Sequence, residues 1–361
     1  MSVTELFDRA SPKRVDRITI RRPDDFHVHL RDGAMLAAVL PFTAAQFARG
    51  VIMPNLVPPV TSTADAKAYR ERILAARAAS SDFQPLMTCY LTDGTSPDEI
   101  ERGFKDRVWV AAKLYPAGAT TNAHHGVTDI PALAPVLERM EKISMPVLIH
   151  GEATDPAVDI FDREAVFMEQ SLLPLLKRHA GLKVVIEHVT TAETVDIVRA
   201  HASHTAGTIT PHHLVINRTS LFQGGLRPHL YCLPVAKRER HRLALRKAVT
   251  SGDTCFFIGT DTAPHRRNAK EAECCSAGVF GGATALQTYV QVFDEEGALD
   301  RFEAFASLNG ARFYGLEPNR GTITLERREQ PIMAAVAVDD TEVVVFRGGE
   351  TLPWSVGEVK P

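Results

Sequence analysis

The sequence predicts a (β/α)8 TIM barrel with short N- and C-terminal strand extensions, on three observations. Eight short apolar runs, several of them β-branched or aromatic, recur at 26–30, 50–53, 85–91, 108–114, 146–150, 183–188, 207–210 and 255–259. Amphipathic segments separate them at 35–48, 64–79, 132–143, 159–178, 192–201 and 237–249, with apolar positions three and four apart, as at Ala68, Ile73 and Ala76. Many of the runs end in imidazole, amine or carboxylate side chains, and the carboxyl ends of the strands are where such a barrel carries its chemistry.

A barrel of this kind takes about 250 residues, so a chain of 361 accommodates one with extensions. The expected organisation is a single hydrolase domain over 1–361, with the barrel at about 24–316 and accessory strands within 12–22 and 321–358. Of the residues, 45% are hydrophobic and 24% charged, as in an ordinary soluble protein. A net charge of −3 gives no electrostatic case for nucleic acid or a membrane surface, so the expected partner is a small molecule. Residues 1–17 lack the apolar core of a signal peptide, and no apolar run approaches 18 residues, so a cytoplasmic protein is expected. Five cysteines (Cys89, Cys232, Cys255, Cys274 and Cys275) include no C-x-x-C and read as free thiols, the adjacent pair being incidental.

The first extension, 17–21, reads as a strand stopped by Pro23. The first barrel strand carries His27 and His29. Strand side chains alternate with period two, so both face one way and can grip one metal, and Arg31 continues the parity. Alone, this pair is equally consistent with two polar residues at a strand end. Later strands end in matching groups: Asn55 on the second, Lys113 on the fourth, His150 on the fifth, His188 on the sixth and Asp261 on the eighth. Desolvating such groups together without partners costs several kcal/mol, so their shared position argues for a site. Four histidines and an aspartate exceed the three protein ligands of one catalytic zinc, which implies two metals. Lys113 then has two readings. It forms an ion pair at the rim, or its neutral amine has taken up carbon dioxide to become an anionic bridging carbamate. The runs at 322–325, 334–338 and 342–346 read as strands pairing with 17–21 in a small satellite sheet.

The set His27, His29, Lys113, His150, His188 and Asp261 in this order resembles the binuclear amidohydrolase superfamily. The surrounding words are similar to its bacterial dihydroorotase branch: Arg22-Pro23-Asp24-Asp25-Phe26-His27-Val28-His29-Leu30-Arg31-Asp32-Gly33, Met53-Pro54-Asn55, Lys113-Leu114-Tyr115-Pro116, Arg227-Pro228-His229-Leu230-Tyr231-Cys232-Leu233-Pro234 and Gly259-Thr260-Asp261-Thr262-Ala263-Pro264-His265. The resemblance implies reversible hydrolysis of L-dihydroorotate to N-carbamoyl-L-aspartate in pyrimidine synthesis. It implies two zinc ions per subunit, with His27, His29 and Asp261 on one, His150 and His188 on the other, and carboxylated Lys113 between them. It makes Asp261 the proton-transfer residue and Arg31, Asn55 and His265 the holders of the substrate carboxylate. Leu233 and Ala277 contact the ring through their backbone, Thr120 and Thr121 sit on a covering loop, and His150 also faces the substrate. A homodimer is implied as well.

Other histidines take plainer readings. His212 and His213 are outer or structural, His124 and His125 belong to a flexible stretch at 118–128, and His179, His201, His204 and His241 face solvent. His229 is open between a structural and a site role. Two competing functions remain at this point. One is a hydantoinase, dihydropyrimidinase or allantoinase, which would share the metal set but need no carboxylate binder. The other is a catalytically silent scaffold, whose mark would be lost ligands.

Overall fold

The computed structural model describes residues 15–360. The expected beginning of the N-terminal extension, at 12–14, and most of the stretch read for a signal peptide lie outside the described residues. Strand β1 (Arg17–Arg21) precedes eight barrel strands: β2 (Asp24–Val28), β3 (Arg49–Ile52), β4 (Gln84–Tyr90), β5 (Ala111–Leu114), β6 (Val147–Ile149), β7 (Val184–Ile186), β8 (Thr205–Ile209) and β9 (Phe256–Ile258). They pair in parallel and in chain order. The circle closes where Asp261 N donates to His27 O at 2.9 Å and His29 N to Thr262 O at 3.1 Å. The predicted barrel is therefore the observed one.

Period two divides each strand between two environments. Phe26, Val51, Met53, Ala111, Leu148, Val185, Ala206 and Phe257 fill the barrel interior over Phe313, Tyr314 and Leu316. Their neighbours Val28, Ile52, Ala112, Val147, Ile149, Val184 and Ile186 pack outward in the main apolar core. The last helix presses close: a Cβ on Gly310 would lie 2.2 Å from the Phe26 ring. One residue pair further toward the carboxyl end, the inward positions become Lys113, His150 and Glu187. The apolar plug thus forms the floor of a polar mouth.

Helix starts follow local chemistry. Ser62 and Asp65 form a reciprocal capping box at Thr63–Ala76, and Thr191 caps Ala192–Ala200 through Thr194 N. The helix Pro97–Lys105 was not anticipated, because it is short and mostly polar and buries only Ile100 and Gly103. The run expected at 108–114 becomes a strand only at Ala111, since Trp109 turns aside to donate its indole N–H to Ile100 O at 3.1 Å.

After the barrel come β10 (Thr322–Glu326), β11 (Gln330–Pro331), β12 (Ala335–Val338), β13 (Thr341–Val344), β14 (Thr351–Leu352) and β15 (Ser355–Lys360). The single satellite sheet expected is instead three small sheets, β1-β10-β15, β12-β13 and β11-β14. β15 occupies the edge of β10 that the later strands would have needed. β12 and β13 close on each other through a turn at Asp339, whose φ is +51°, and Val338 and Val343 pack with Val39 of the first barrel helix.

Candidate active site

The carboxyl ends of the strands bring the predicted residues together. On β2 the chain advances three positions from Asp25 to Val28 while β3 advances only two, from Gly50 to Ile52. This bulge lets Phe26 enter the floor while His27 faces the mouth, and His29 keeps the parity of His27. Asp25 anchors it, accepting from His27 N at 3.1 Å, Thr260 N at 2.9 Å and Thr260 Oγ1 at 2.5 Å. Arg31 departs from the expected alternation. Its backbone is left-handed, φ +59°, and that turn, rather than strand parity, brings its guanidinium over the site. His188 likewise follows an inward Glu187 and would point outward, but φ +42° turns it back into the mouth.

His27 Nε2 lies 3.1 Å from His29 Nε2 and 3.3 Å from Asp261 Oδ1, and His29 Nε2 lies 3.1 Å from the same oxygen. Across the mouth, His150 Nδ1 is 3.2 Å from His188 Nε2. Lys113 is fully buried beneath them and donates to Glu187 Oε2. Burial drives the Lys113 amine well below its usual range, the charge of Asp261 opposing the shift. Burial also lowers His27 and His188, and takes His29 to about 3, so neutral imidazoles face the centre. For Asp261 burial acts upward, but the electrostatics of the adjoining His27 and then His29 outweigh it and hold the carboxylate well below its usual range.

The donor set fits divalent cations. His29 Nδ1 donates to Asn55 Oδ1 at 2.8 Å, which leaves the Nε2 lone pair aimed at His27 Nε2 and Asp261. Lone pairs and a carboxylate converging at such distances need a cation between them. Ligand atoms of His27, His188 and Asp261 lie within 4.8 Å of one another.

Arg31, Asn55, Thr120, Thr121, Leu233 and Ala277 line the pocket above, together with His27, His29, His150, His188 and Asp261. His265 stands behind Arg31, with Nε2 at 3.1 Å from Arg31 Nη2 and 2.9 Å from Ala277 O. A carbonyl only accepts, so His265 Nε2 carries a proton and gives nothing to Arg31. His29 Nδ1, 3.5 Å from Arg31 Nη1, is also a donor, to Asn55. Arg31 therefore has a protein acceptor for Nε, Pro264 O at 3.3 Å, and none for its two terminal nitrogens among the described residues. The loop over the site is closed by Asn55 Nδ2 to Thr121 O at 3.3 Å and Thr121 Oγ1 to Ala277 O at 3.4 Å, leaving a void of about 20 Å³. A far larger cleft of about 1100 Å³, between 215–230 and 344–350, holds Arg–Glu pairs and no ligand cluster, so chemistry and not size locates the site.

Three residues escaped the sequence reading. Glu187 and Glu152 are buried carboxylates one inward step beyond Val185 and His150, and Tyr115 lines the pocket two residues after Lys113. Counting by twos from the floor would have found all three. His212 and His213 lie outside the pocket lining; His212 is buried with neither ring nitrogen partnered among the described residues, and its ligand atoms come within 4.8 Å of those of His213 and Cys232. His213 uses both ring nitrogens, on Thr210 Oγ1 at 2.8 Å and Pro234 O at 3.1 Å, and Cys232 beside it has a thiol that burial pushes up to about 12. His229 pairs with Glu271 at 2.8 Å away from the mouth. His179 and His241, expected at the surface, are buried: His179 lies 3.6 Å from Glu141, and His241 accepts from Ala192 N at 3.1 Å.

This mouth on this barrel defines a hydrolase class, and the chain belongs to the amidohydrolase family, whose model matches residues 24–328. Within that family it is similar to dihydroorotases. It is 58% identical over 339 residues to the dihydroorotase of Sphingopyxis alaskensis, covering 94% of this chain and 98% of the relative. Its fold matches the crystal structure of dihydroorotase from Campylobacter jejuni with a TM-score of 0.87 at 33% identity, covering 96% and 98% of the two chains. It matches the Saccharomyces cerevisiae dihydroorotase in complex with 5-fluoroorotic acid with a TM-score of 0.88 at 31% identity, covering 96% and 100%. No helix among the described residues is long and apolar enough to cross a membrane.

Proposed function

We propose that the chain is a dihydroorotase, a cyclic amide hydrolase that interconverts L-dihydroorotate and N-carbamoyl-L-aspartate. The observation that carries the substrate is Arg31. A half-buried guanidinium whose two terminal nitrogens face the pocket without a protein acceptor matches a substrate carboxylate, which takes a two-pronged guanidinium contact. Asn55 and His265 flank that contact, and the backbone of Leu233 and Ala277 borders the ring. The complex of the yeast relative with 5-fluoroorotic acid supports a carboxylated pyrimidine ring.

His27, His29 and Asp261 would hold one zinc ion and His150 and His188 a second. Together the two ions would supply Lewis acidity at the ring carbonyl and lower the pKa of the attacking water. Burial favours the neutral Lys113 amine, whose nitrogen can bond to carbon dioxide and release one proton, giving the anionic carbamate suited to lie between two cations. Asp261, held ionised, takes a proton from the attacking water as the carbon–oxygen bond forms. It returns that proton to the ring nitrogen as the carbon–nitrogen bond breaks. Thr120 and Thr121 cover the reacting groups and exclude bulk water. The same family likeness underlies the reading of a single hydrolase domain that acts as a cytoplasmic homodimer.

The intact ligand set speaks against a silent scaffold, and the unsatisfied guanidinium speaks against a hydantoinase-type substrate without a carboxylate. Initial rates with dihydroorotate, hydantoin and dihydrouracil at equal concentrations test this directly. Dihydroorotate should dominate; faster turnover of dihydrouracil, which lacks the carboxylate, would overturn the assignment.

A further inference from the structure

His150 differs from the other three histidines of the mouth in the nitrogen it presents. His27, His29 and His188 direct Nε2 to the centre, whereas His150 directs Nδ1. Its Nε2 points the other way, 2.9 Å from Glu152 Oε2, with both side chains buried. The turn that follows β6 holds the two together, Glu152 N donating to His150 O at 3.2 Å. A carboxylate oxygen in this contact accepts, so the proton sits on Nε2 and the lone pair on Nδ1. Glu152 Oε1 is buried without any partner. Burying a carboxyl group with half its hydrogen-bonding capacity unmet is costly, so the single bond to His150 is what the position offers in return.

We propose that Glu152 is the positioning residue of the second metal half-site, fixing His150 as an Nδ1 ligand. The inference rests on the binuclear reading above. Glu152 touches neither substrate nor reacting atoms; it acts through the tautomer and ring orientation of His150. Outer partners of ligand histidines typically change metal affinity by ten- to a hundredfold when removed.

The test compares the zinc-loaded wild type with Glu152→Leu and Glu152→Gln, each dialysed against rising chelator concentration and assayed for zinc per chain. The leucine cannot accept from Nε2, so one of the two zinc ions should leave at about ten- to a hundredfold lower chelator while the other stays. The glutamine keeps an acceptor oxygen and should restore most of the retention. If the leucine variant does not fold, Glu152→Asp, too short to reach Nε2, must show the same selective loss. A folded variant that keeps both ions at the wild-type chelator concentration, or that loses both together, overturns the inference. A wild type that binds fewer than two zinc ions overturns the binuclear reading itself, and this inference with it.

Discussion

Lys113 and Glu187 meet inside the barrel as a fully buried amine and carboxyl pair, in the layer directly beneath the histidines. The amine also lies 4.8 Å from the centre of the Tyr115 ring. A lysine so placed is withdrawn from the rim and from solvent, and burial favours its neutral amine, the form that can take up carbon dioxide. Lys113→Ala should therefore lose most bound zinc and nearly all turnover, and short carboxylic acids should restore a little of both. Full zinc occupancy in the alanine variant would remove the bridging role.

Arg31→Met should leave zinc content unchanged and weaken dihydroorotate. A hydrogen bond to a charged group contributes roughly 1.5 to 3 kcal/mol, or about ten- to 150-fold in apparent affinity. Equal Michaelis constants for the two fully metallated proteins would contradict the carboxylate contact.

The closed loop leaves about 20 Å³ above the ligands, room for about one water, and the proposed reaction therefore calls for the segment carrying Thr120 and Thr121 to open for entry and close again. Combining Thr120→Ala with Thr121→Ala should lower turnover several-fold. Hydrogen exchange at 118–128 should slow on adding dihydroorotate; exchange identical with and without ligand would dismiss the lid.

Asp25 lies under the first ligand, and burial raises its pKa to about 6 against the opposing hydrogen bonds from Thr260 and His27. An aspartate in the unfolded chain titrates near 3.9. Between these values the folded protein keeps a proton that the unfolded chain has released. The stability contributed by the protonated form is complete below about pH 4 and lost as the pH rises through 6. For a shift of two units the change is about 3 kcal/mol. Asp25→Asn abolishes this component, so the wild-type stability minus that of the variant should fall by about 3 kcal/mol from pH 4 to 7 in denaturant unfolding. A difference that stays flat would refute the raised pKa.

Much of this site was legible in the chain because strand parity is a local rule. Lys113 and His150 stand two residues beyond floor residues Ala111 and Leu148, and their residue types declare the mouth, whereas Asp261, past the end of β9, reaches it through a left-handed turn at φ +45°. What was not legible depended on breaks in that rule. The bulge at Phe26 and His27 and the left-handed turns at Arg31 and His188 depend on hydrogen bonds to other strands, such as His188 N to Thr208 Oγ1 at 2.8 Å. Glu187 was overlooked beside His188, although parity alone aims it inward. The division of the outer strands into three sheets turns on β15, and not β12 or β13, pairing with the free edge of β10, a long-range choice that no local pattern records. His179 and His241 were misplaced because a histidine on a helix does not reveal which neighbour covers it.

This mouth is expected to open a carboxylated cyclic amide with zinc bound and Asp261 moving the proton. Ring opening of dihydroorotate and zinc per chain, measured on one preparation each of the wild type and Asp261→Asn, test it most directly. The wild type should hold two zinc ions and turn over, with opening falling in acid and closure falling in base. Asp261→Asn should keep most of its zinc and lose both directions. A wild type active without bound metal, or an Asp261→Asn protein with zinc bound, strong activity and an unchanged pH profile, would contradict it.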